Sequence, residues 1–449
     1  MRALIVLAIV VAVLQFGFSF KIAVSNMAHL LRFGFPAALS TAVLTAMSVA
    51  AQTLPPSGML DEIFPVQRHK ASPGFPTLSS FSKAPDRPVE ASCGLAPIDL
   101  TQTTGPDKFV FKLLGTPQSD TVSEPNSMLI NLSRMTVNAD GSRRAYHPAD
   151  PFGLCQGASP GNVPKACALD VLGDAEILVY QGSDRISQFI VPEGQNKPGP
   201  NPVFAKVWDG LWQQISARDD QWVDLRTIFG KQAPTSQHLY YSPKDDAAAV
   251  FNSNIIPFKD AYPCQFGDRT DNYFVAATTP HAAAPDPTHD ACSIATFLDS
   301  VQIPFFVLPG GVFKNLRVGD VAIGWAKIGA AERVIYGVVG DTGPEQQIGE
   351  GSISLVRQLR GAAQPNNATE VRDLDLKIIE RPAGITSLAV LVLGETAKDI
   401  GFDFSAANIE KVARNALQKW ASGHAGRLQS CADAAPVNPF KGAKIAAPN

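Results

Sequence analysis

The stretch IPFFVLPGGVFKNLRVGDVAIGWAKIGAAERVIYGVVGDTGPEQQIGEGSISLVRQL, Ile303 to Leu359, decides how the rest of the chain is read. Within it VIYGVV is a short apolar, β-branched run that ends in Gly340, the pattern of a buried strand delivering Asp341 to a turn. Thr342 to Gly349 is a connection containing Gly343 and Pro344. GEGSISLV then holds Glu350 between two glycines and leads into a second strand or, through Ser352, a helix. The chain leaves a core strand and returns with a carboxylate at each end of the excursion. Two carboxyl groups across a groove are what a glycosidase needs, one to protonate the leaving oxygen and one to deprotonate water or attack carbon. By themselves they are a weak motif. Asp before Thr-Gly-Pro is an ordinary turn-former, and a Glu beside glycines is commonly solvated.

Further blocks sharpen the reading: PFFVLPGG from Pro304 to Gly311, VGDVA from Val318 to Ala322, VIYGVVGDTGP from Val334 to Pro344, IGEGSISL from Ile348 to Leu355, and upstream MTVNADGSRRAYHP from Met135 to Pro148. Together they resemble glycoside hydrolase family 75, the fungal-type chitosanases and their bacterial relatives, over roughly residues 125–395. The resemblance implies that Asp341 and Glu350 are the catalytic carboxylates, that hydrolysis of β-1,4 linkages in chitosan is inverting, and that the acids stand roughly 6.5–9.5 Å apart with water between them. It also implies substrate contacts at Asp140, Tyr146, His147 and Thr342. Where fungal members carry an acidic MDIDxDG run, this chain has Thr136, Asn138 and Asp140, so only the last acid is kept. That departure leaves open a hydrolase or lyase acting on another wall polysaccharide, such as de-N-acetylated peptidoglycan, or a non-catalytic glycan-binding envelope protein. Which carboxylate is the acid and which the base is also open.

Short strands, Gly/Pro turns and few clear helices indicate a mainly β fold with appended helices. The GDTGP…GEGSISL arrangement also looks like the DRGP…DLS arrangement of double-psi barrels, found in rare-lipoprotein-A-type murein hydrolases and some endoglucanases. That likeness implies a six-stranded double-psi β-barrel-like core with the two acids on its open face.

The chain has 449 residues, 45% hydrophobic and 18% charged, enough apolar material for a large core, and 35 prolines that favour turns over long helices. Residues 3–20 and 33–51 are two apolar runs. A start at Met27 gives a segment with His29 and Arg32 ahead of an apolar stretch and small residues before Gln52, the order of a secretory signal peptide. The expectation is an export region over 1–51, the signal itself at 27–51, and a secreted or periplasmic protein. An anchor at residues 3–20 is the alternative. Without residues 1–51 the chain loses Arg2, Lys21 and Arg32 and no acid, leaving 35 basic against 41 acidic residues. A net charge of −6 disfavours nucleic acid and suits a cationic glycan. Residues 52–105 read as a Pro/Ser-rich arm, 106–431 as the catalytic domain of a monomer, and 432–449 as a disordered tail. No stable membrane association is expected once the signal is removed.

Cys93, Cys155, Cys167, Cys264, Cys292 and Cys431 form no CxxC pair, and no His stands at ligand spacing, so disulfides are expected and a metal or cofactor is not. Nearness pairs Cys155 with Cys167 and Cys264 with Cys292, while Cys93 is placed to staple the arm to the body. Gly157-Ala158-Ser159-Pro160-Gly161 matches G-x-S-x-G formally. It fails physically, because Pro160 has no N–H to donate to an oxyanion. VFAKVWDGLWQQIS from Val203 has helical periodicity, and at that spacing Trp208 and Trp212 are more often core than sugar platforms.

Overall fold

The computed structural model describes residues 53–64, 82–83, 93–104, 107–116, 126–142, 177–186, 202–217, 221–266, 274–278, 292–293, 296–310, 316–343, 347–366, 370–371, 373–378, 384–401, 403–421, 426–439 and 443–445. All of these except Thr53 belong to one compact unit, Leu54–Asn449. The export region and the Cys155/Cys167 pair lie outside the described residues, and among those described no helix is long and apolar enough to cross a membrane.

The fold is mainly β with appended helices. A large mixed sheet is built from β1 (Ser82–Lys83), β2 (Ala96–Thr104), β3 (Asp107–Gly115), β4 (Ser127–Leu132) and β5 (Arg134–Asn138). A separate sheet holds β6 (Ile177–Gln181), β7 (Asp184–Arg185), β8 (Trp222–Val223), β9 (Gln237–Ser242) and β10 (Ala247–Asn252), and β11 (Phe258–Lys259) pairs with β12 (Tyr262–Pro263). The chain then returns to the large sheet with β13 (Phe305–Pro309), β14 (Val321–Ile328), β15 (Ala331–Gly343), β16 (Glu350–Ser352), β17 (Leu376–Lys377), β18 (Ile385–Leu393), β19 (Val437–Asn438) and β20 (Ala443–Ile445). The spatial order is β1-β2-β3-β4-β18-β14-β15-β13-β16-β5-β17, with β19 on β4 and β20 on β3. Ile378, which follows β17, makes one isolated parallel bridge to Ile385 at the start of β18, but among the described residues the strands do not form a closed barrel.

The unbroken apolar runs of β14 and β18 follow from burial on both faces, since a strand with one wet face would alternate apolar with polar. Ala322 pairs with Val392 and Ala326 with Leu388 on one side, while Ile323 pairs with Leu391 and Trp325 with Ala389 on the other. Onto the first face packs α4 (Ile353–Arg360), through Ile353, Leu355, Val356 and Leu359. It starts where the Ser352 hydroxyl accepts from Leu355 N at 3.0 Å and stops at Gly361, whose φ of 69° is left-handed. Truncating Leu355, 1% exposed, to Ala would cost about 2–5 kcal/mol. The other face is covered by α6 (Ala406–Trp420) and α7 (Arg427–Ala434). Ser405 caps α6 by accepting from Asn408 N, and Ile409, Ala413, Ala416 and Trp420 form its buried stripe.

The smaller sheet is sandwiched in the same way. One face meets α2 (Pro202–Ala217), whose Trp208 and Trp212 are 0% and 3% exposed and therefore core residues. The other face is covered by α1 (Ser57–Ile63), through Met59, Leu60, Ile63 and Phe64 against Tyr180, Leu239, Tyr241 and Val250. The stretch read as an arm thus contributes core. Likewise the stretch read as a disordered tail supplies β19 and β20, and Asn438 accepts from Lys112 N at 2.7 Å and donates to Asn131 O at 3.1 Å. A Pro/Ala-rich composition misleads there because short strands joining existing edges need backbone groups more than apolar periodicity. Cys264 pairs with Cys292, as nearness suggests, and Cys93 pairs with Cys431 across a sequence separation of 338. Beside that second bridge the buried Arg427 donates Nε–H to Cys93 O and lies 4.4 Å from the centroid of Trp420.

Candidate active site

β15 does not end before Asp341 as expected; it continues through Asp341 to Gly343, paired in parallel with β13. The pairing slips at one point. Phe306 faces Val339 and Val307 faces Asp341, so Gly340 is an extra residue in a bulge. Only glycine fits: a Cβ at 340 would lie 2.3 Å from Cγ and 2.4 Å from Cβ of the buried Phe305. The bulge turns Asp341, instead of Gly340, onto the register position opposite Val307.

On the far side of β13, Val307 pairs with Glu350 in antiparallel β16. Beyond that, Glu350 pairs with Thr136 and Ser352 with Asn138 in parallel β5. Residues in register share a face, so Asp341, Val307, Glu350 and Thr136 form one row across four adjacent strands. The Glu350 carboxylate leans over β13 toward β15, with Oε2 3.4 Å from where a Cβ on Gly343 would stand. Gly349 permits this approach of strands, since its φ is +107° and a Cβ there would meet Arg134 O at 2.5 Å. Its carbonyl accepts from Thr136 N at 2.8 Å.

Asp341 is 5% exposed, and its Oδ1 accepts from Thr342 N at 2.8 Å. Glu350 is half-buried. Thr342 gives the site its backbone N–H, while strand alternation puts its exposed side chain on the opposite face. Asp140 stands in the turn that follows β5. Its Oδ2 accepts from Asn138 Nδ2 at 2.9 Å, and its own N–H donates to Asn138 Oδ1 at 3.0 Å. The structure therefore brings together Asp341, Glu350 and the β5 end that leads to Asp140. Tyr146 and His147 lie outside the described residues.

Two further residues brace this arrangement. Ser300, fully buried, donates its hydroxyl to Asn138 O and accepts from Ile353 N at 2.9 Å, which ties the end of β5 to the start of α4. Asp320, also fully buried, accepts from Arg317 N at 2.9 Å and from Ala397 N at 3.0 Å. Its backbone carbonyl takes Val339 N at 2.7 Å, just ahead of the bulge. Burial raises the Asp320 carboxyl above its ordinary range, and the donated amides only partly oppose this. Neither residue carries a sequence signal of its own beyond the VGDVA block that contains Asp320.

Neither β13 nor β16 has a basic residue, and on β5 Arg134 is engaged by Asp375 at 2.5 Å, so the row is acidic. Among the described residues no three His, Cys, Asp or Glu side chains gather where a metal could be held. A cavity lined by Gln181, Lys206 and Asp245 between α2 and the turn joining β9 to β10 contains none of these residues, and Asp245 is held there by Gln214 and Ser242. No protein-family model and no curated protein sequence matches the chain.

Proposed function

We propose that this chain is an exported glycoside hydrolase that cleaves β-1,4 linkages within a glucosamine polymer such as chitosan, with Asp341 and Glu350 as its working pair. The observation that carries the reading is their common register with Val307, which puts both acids on one face of the sheet. The acids stand on strands separated by β13, roughly 10 Å apart at the backbone, and Glu350 reaches over β13 to narrow that gap, which leaves space for a water between the carboxyl groups. That suits an inverting hydrolase, which needs roughly 6.5–9.5 Å to admit a water, better than a retaining one at roughly 5–5.5 Å.

In this mechanism Glu350, the more accessible acid, delivers a proton to the glycosidic oxygen as the bond to the anomeric carbon breaks. Asp341, buried with its anion held by the Thr342 amide, takes a proton from the water that attacks that carbon from the opposite side. The chemistry consumes one water and needs no metal or cofactor. Asp140 adds a third carboxylate, and the acidic row would draw a polycation. The six strands β5-β16-β13-β15-β14-β18, with parallel pairs β16·β5 and β13·β15, are proposed to be a double-psi-type core opened at β18 by β4. The two disulfides are compatible with export.

The test is release of reducing ends from chitosan, with the anomer of the first product followed by NMR. Asp341→Asn and Glu350→Gln should each reduce turnover by about 10²–10⁴-fold with the urea midpoint retained. Full activity in either variant would remove the pair from the mechanism. Binding of chitosan without turnover, unchanged in both variants, would favour a glycan-binding protein. Turnover confined to another wall polysaccharide would move the substrate and keep the site.

A further inference from the structure

The smaller sheet turns one face to α2, and strand alternation sets which residues stand on it. Ile177, Val179 and Ala249 make that face apolar and bury it. At the end of the sheet the pattern breaks. Gln181, the next position on the same face of β6, and Ser242, at the end of β9, are polar, and Asp245 follows in the turn to β10. Opposite them α2 carries Val203, Lys206, Val207 and Gly210, spaced as one stripe of a helix. Between the two lies a cavity of about 480 Å³, a size that admits a small molecule.

The polar groups around this cavity are set for a guest more than for one another. Ser242 is fully buried, and its hydroxyl and Gln214 Nε2 donate to Asp245 Oδ2 at 2.7 and 2.5 Å. Two donors on one oxygen fix the carboxylate and leave Oδ1 to accept, and among the described residues nothing donates to it. Lys206 has no ion pair and the Gln181 amide no hydrogen bond among the described residues. The two charges are also held apart. A Cβ on Gly210 would lie 4.0 Å from Asp245 Cγ, so the carboxylate meets α2 at Gly210. Lys206 stands four residues, about 6 Å, nearer the helix start, and long side chains on a helix lean that way. An anion and a cation left unpaired across one cavity match a ligand that carries its own cation and anion at that spacing. A single amino acid is short for the span, whereas a dipeptide adds one Cα–Cα step, about 3.8 Å, between its ammonium and its carboxylate. Its peptide group has the N–H and C=O that the Gln181 amide can answer, and Val203 and Val207 give small side chains an apolar wall.

We propose that this cavity binds a free dipeptide with small side chains, its ammonium on Asp245 and its carboxylate on Lys206. The site is separate from the acid row and stands whether or not the chain is a hydrolase. The experiment is a ligand-observed NMR titration of the full chain with L-alanyl-L-alanine. Binding with a Kd of about 1–10 mM is expected, the strength a ligand of this size reaches. N-acetyl-alanyl-alanine, which lacks the ammonium, and alanyl-alanine amide, which lacks the carboxylate, should each bind about tenfold more weakly or worse. Asp245→Asn and Lys206→Met each remove one charge at nearly constant shape and should weaken binding by about tenfold. Gly210→Leu keeps both charges and fills the cavity, and should abolish binding. Lys206 has no partner to lose and leucine suits a helix better than glycine, so Lys206→Met and Gly210→Leu should keep the wild-type urea midpoint, which separates lost binding from lost folding. No binding of alanyl-alanine by the wild type, equal binding of free alanine or of either blocked peptide, or binding unmoved in Lys206→Met and Gly210→Leu overturns the proposal.

Discussion

Replacing Gly340 by Ala tests whether the bulge is what makes the site. A Cβ at this position would stand 2.3 Å from Phe305 Cγ, 2.4 Å from Phe305 Cβ and 2.8 Å from Phe305 Cδ2. Two of these atoms lie at the root of a fully buried ring, where no rotamer change can withdraw them. Relief needs movement of strand β13 or β15, so the cost belongs at the upper end of overpacking, about 3 kcal/mol or more. Gly324→Ala is the internal control. Its Cβ would meet only the tips of Leu355 and Leu359, at 3.0 Å, which can yield, and about 1 kcal/mol is expected. Urea unfolding followed by tryptophan fluorescence should therefore give a much lower midpoint for Gly340→Ala than for Gly324→Ala at similar slope. A strand that relieves the clash by losing the bulge would set residue 340 opposite Val307 and move Asp341 off the row. Glycan turnover in Gly340→Ala should then fall as far as in Asp341→Asn. A Gly340→Ala protein as stable as wild type, or destabilised but fully active, would refute the link between bulge and site.

Asp320 makes a prediction about pH. Its folded carboxyl is raised by burial, so from its ordinary value of 3.8 upward the native state holds this proton more tightly than the unfolded chain does. The group's contribution to stability is then greatest at low pH and is lost as pH rises through that window. Asp320→Asn cannot titrate, and its deficit relative to wild type should be larger at pH 4 than at pH 7; a deficit that grows with pH would contradict the assignment. The two disulfides should differ by loop length. Replacing both Cys93 and Cys431 by Ser opens a sequence separation of 338 and should cost about 5–6 kcal/mol, against about 3–4 kcal/mol for Cys264 and Cys292 with a separation of 28, both read from urea midpoints. Equal losses would mean that native packing around the bridges, for example Arg427 over Trp420, outweighs chain entropy.

What was legible in the sequence is what depends on local pattern. The buried tryptophans of α2 and the nearby pair Cys264–Cys292 follow from spacing within a few tens of residues. What was not legible is register. Nothing in VIYGVVGD marks Gly340 as an extra residue, because a bulge exists only relative to a partner strand, here β13. Pattern alone therefore ends the strand before Asp341, whereas it runs on to Gly343. The partner of Cys93 and the sheet roles of Val437–Asn438 and Ala443–Ile445 are hidden for the same reason, since their contacts lie about three hundred residues away.

Register also explains how one face can hold both acids although Asp341 and Glu350 leave the same loop. If β16 simply folded back on β15 as a hairpin, the two acids would be direct neighbours about 5 Å apart at the backbone, the spacing of adjacent strands, with no room for water. The chain avoids this by placing β13 between them, with β13 parallel to β15 and antiparallel to β16. Parallel pairing cannot be made by a tight turn, and here β14, with its own hairpin to β15, supplies the crossover from β13. The gap across the site is thus the width of one inserted strand, reduced by the lean of Glu350 over Val307. Shortening that side chain by Glu350→Asp withdraws the carboxyl toward β16 and widens the gap without removing the acid. Turnover should fall by more than tenfold while the pH range of activity stays in the carboxylate region. Undiminished turnover in Glu350→Asp would show that separation across Val307 is not what the site depends on.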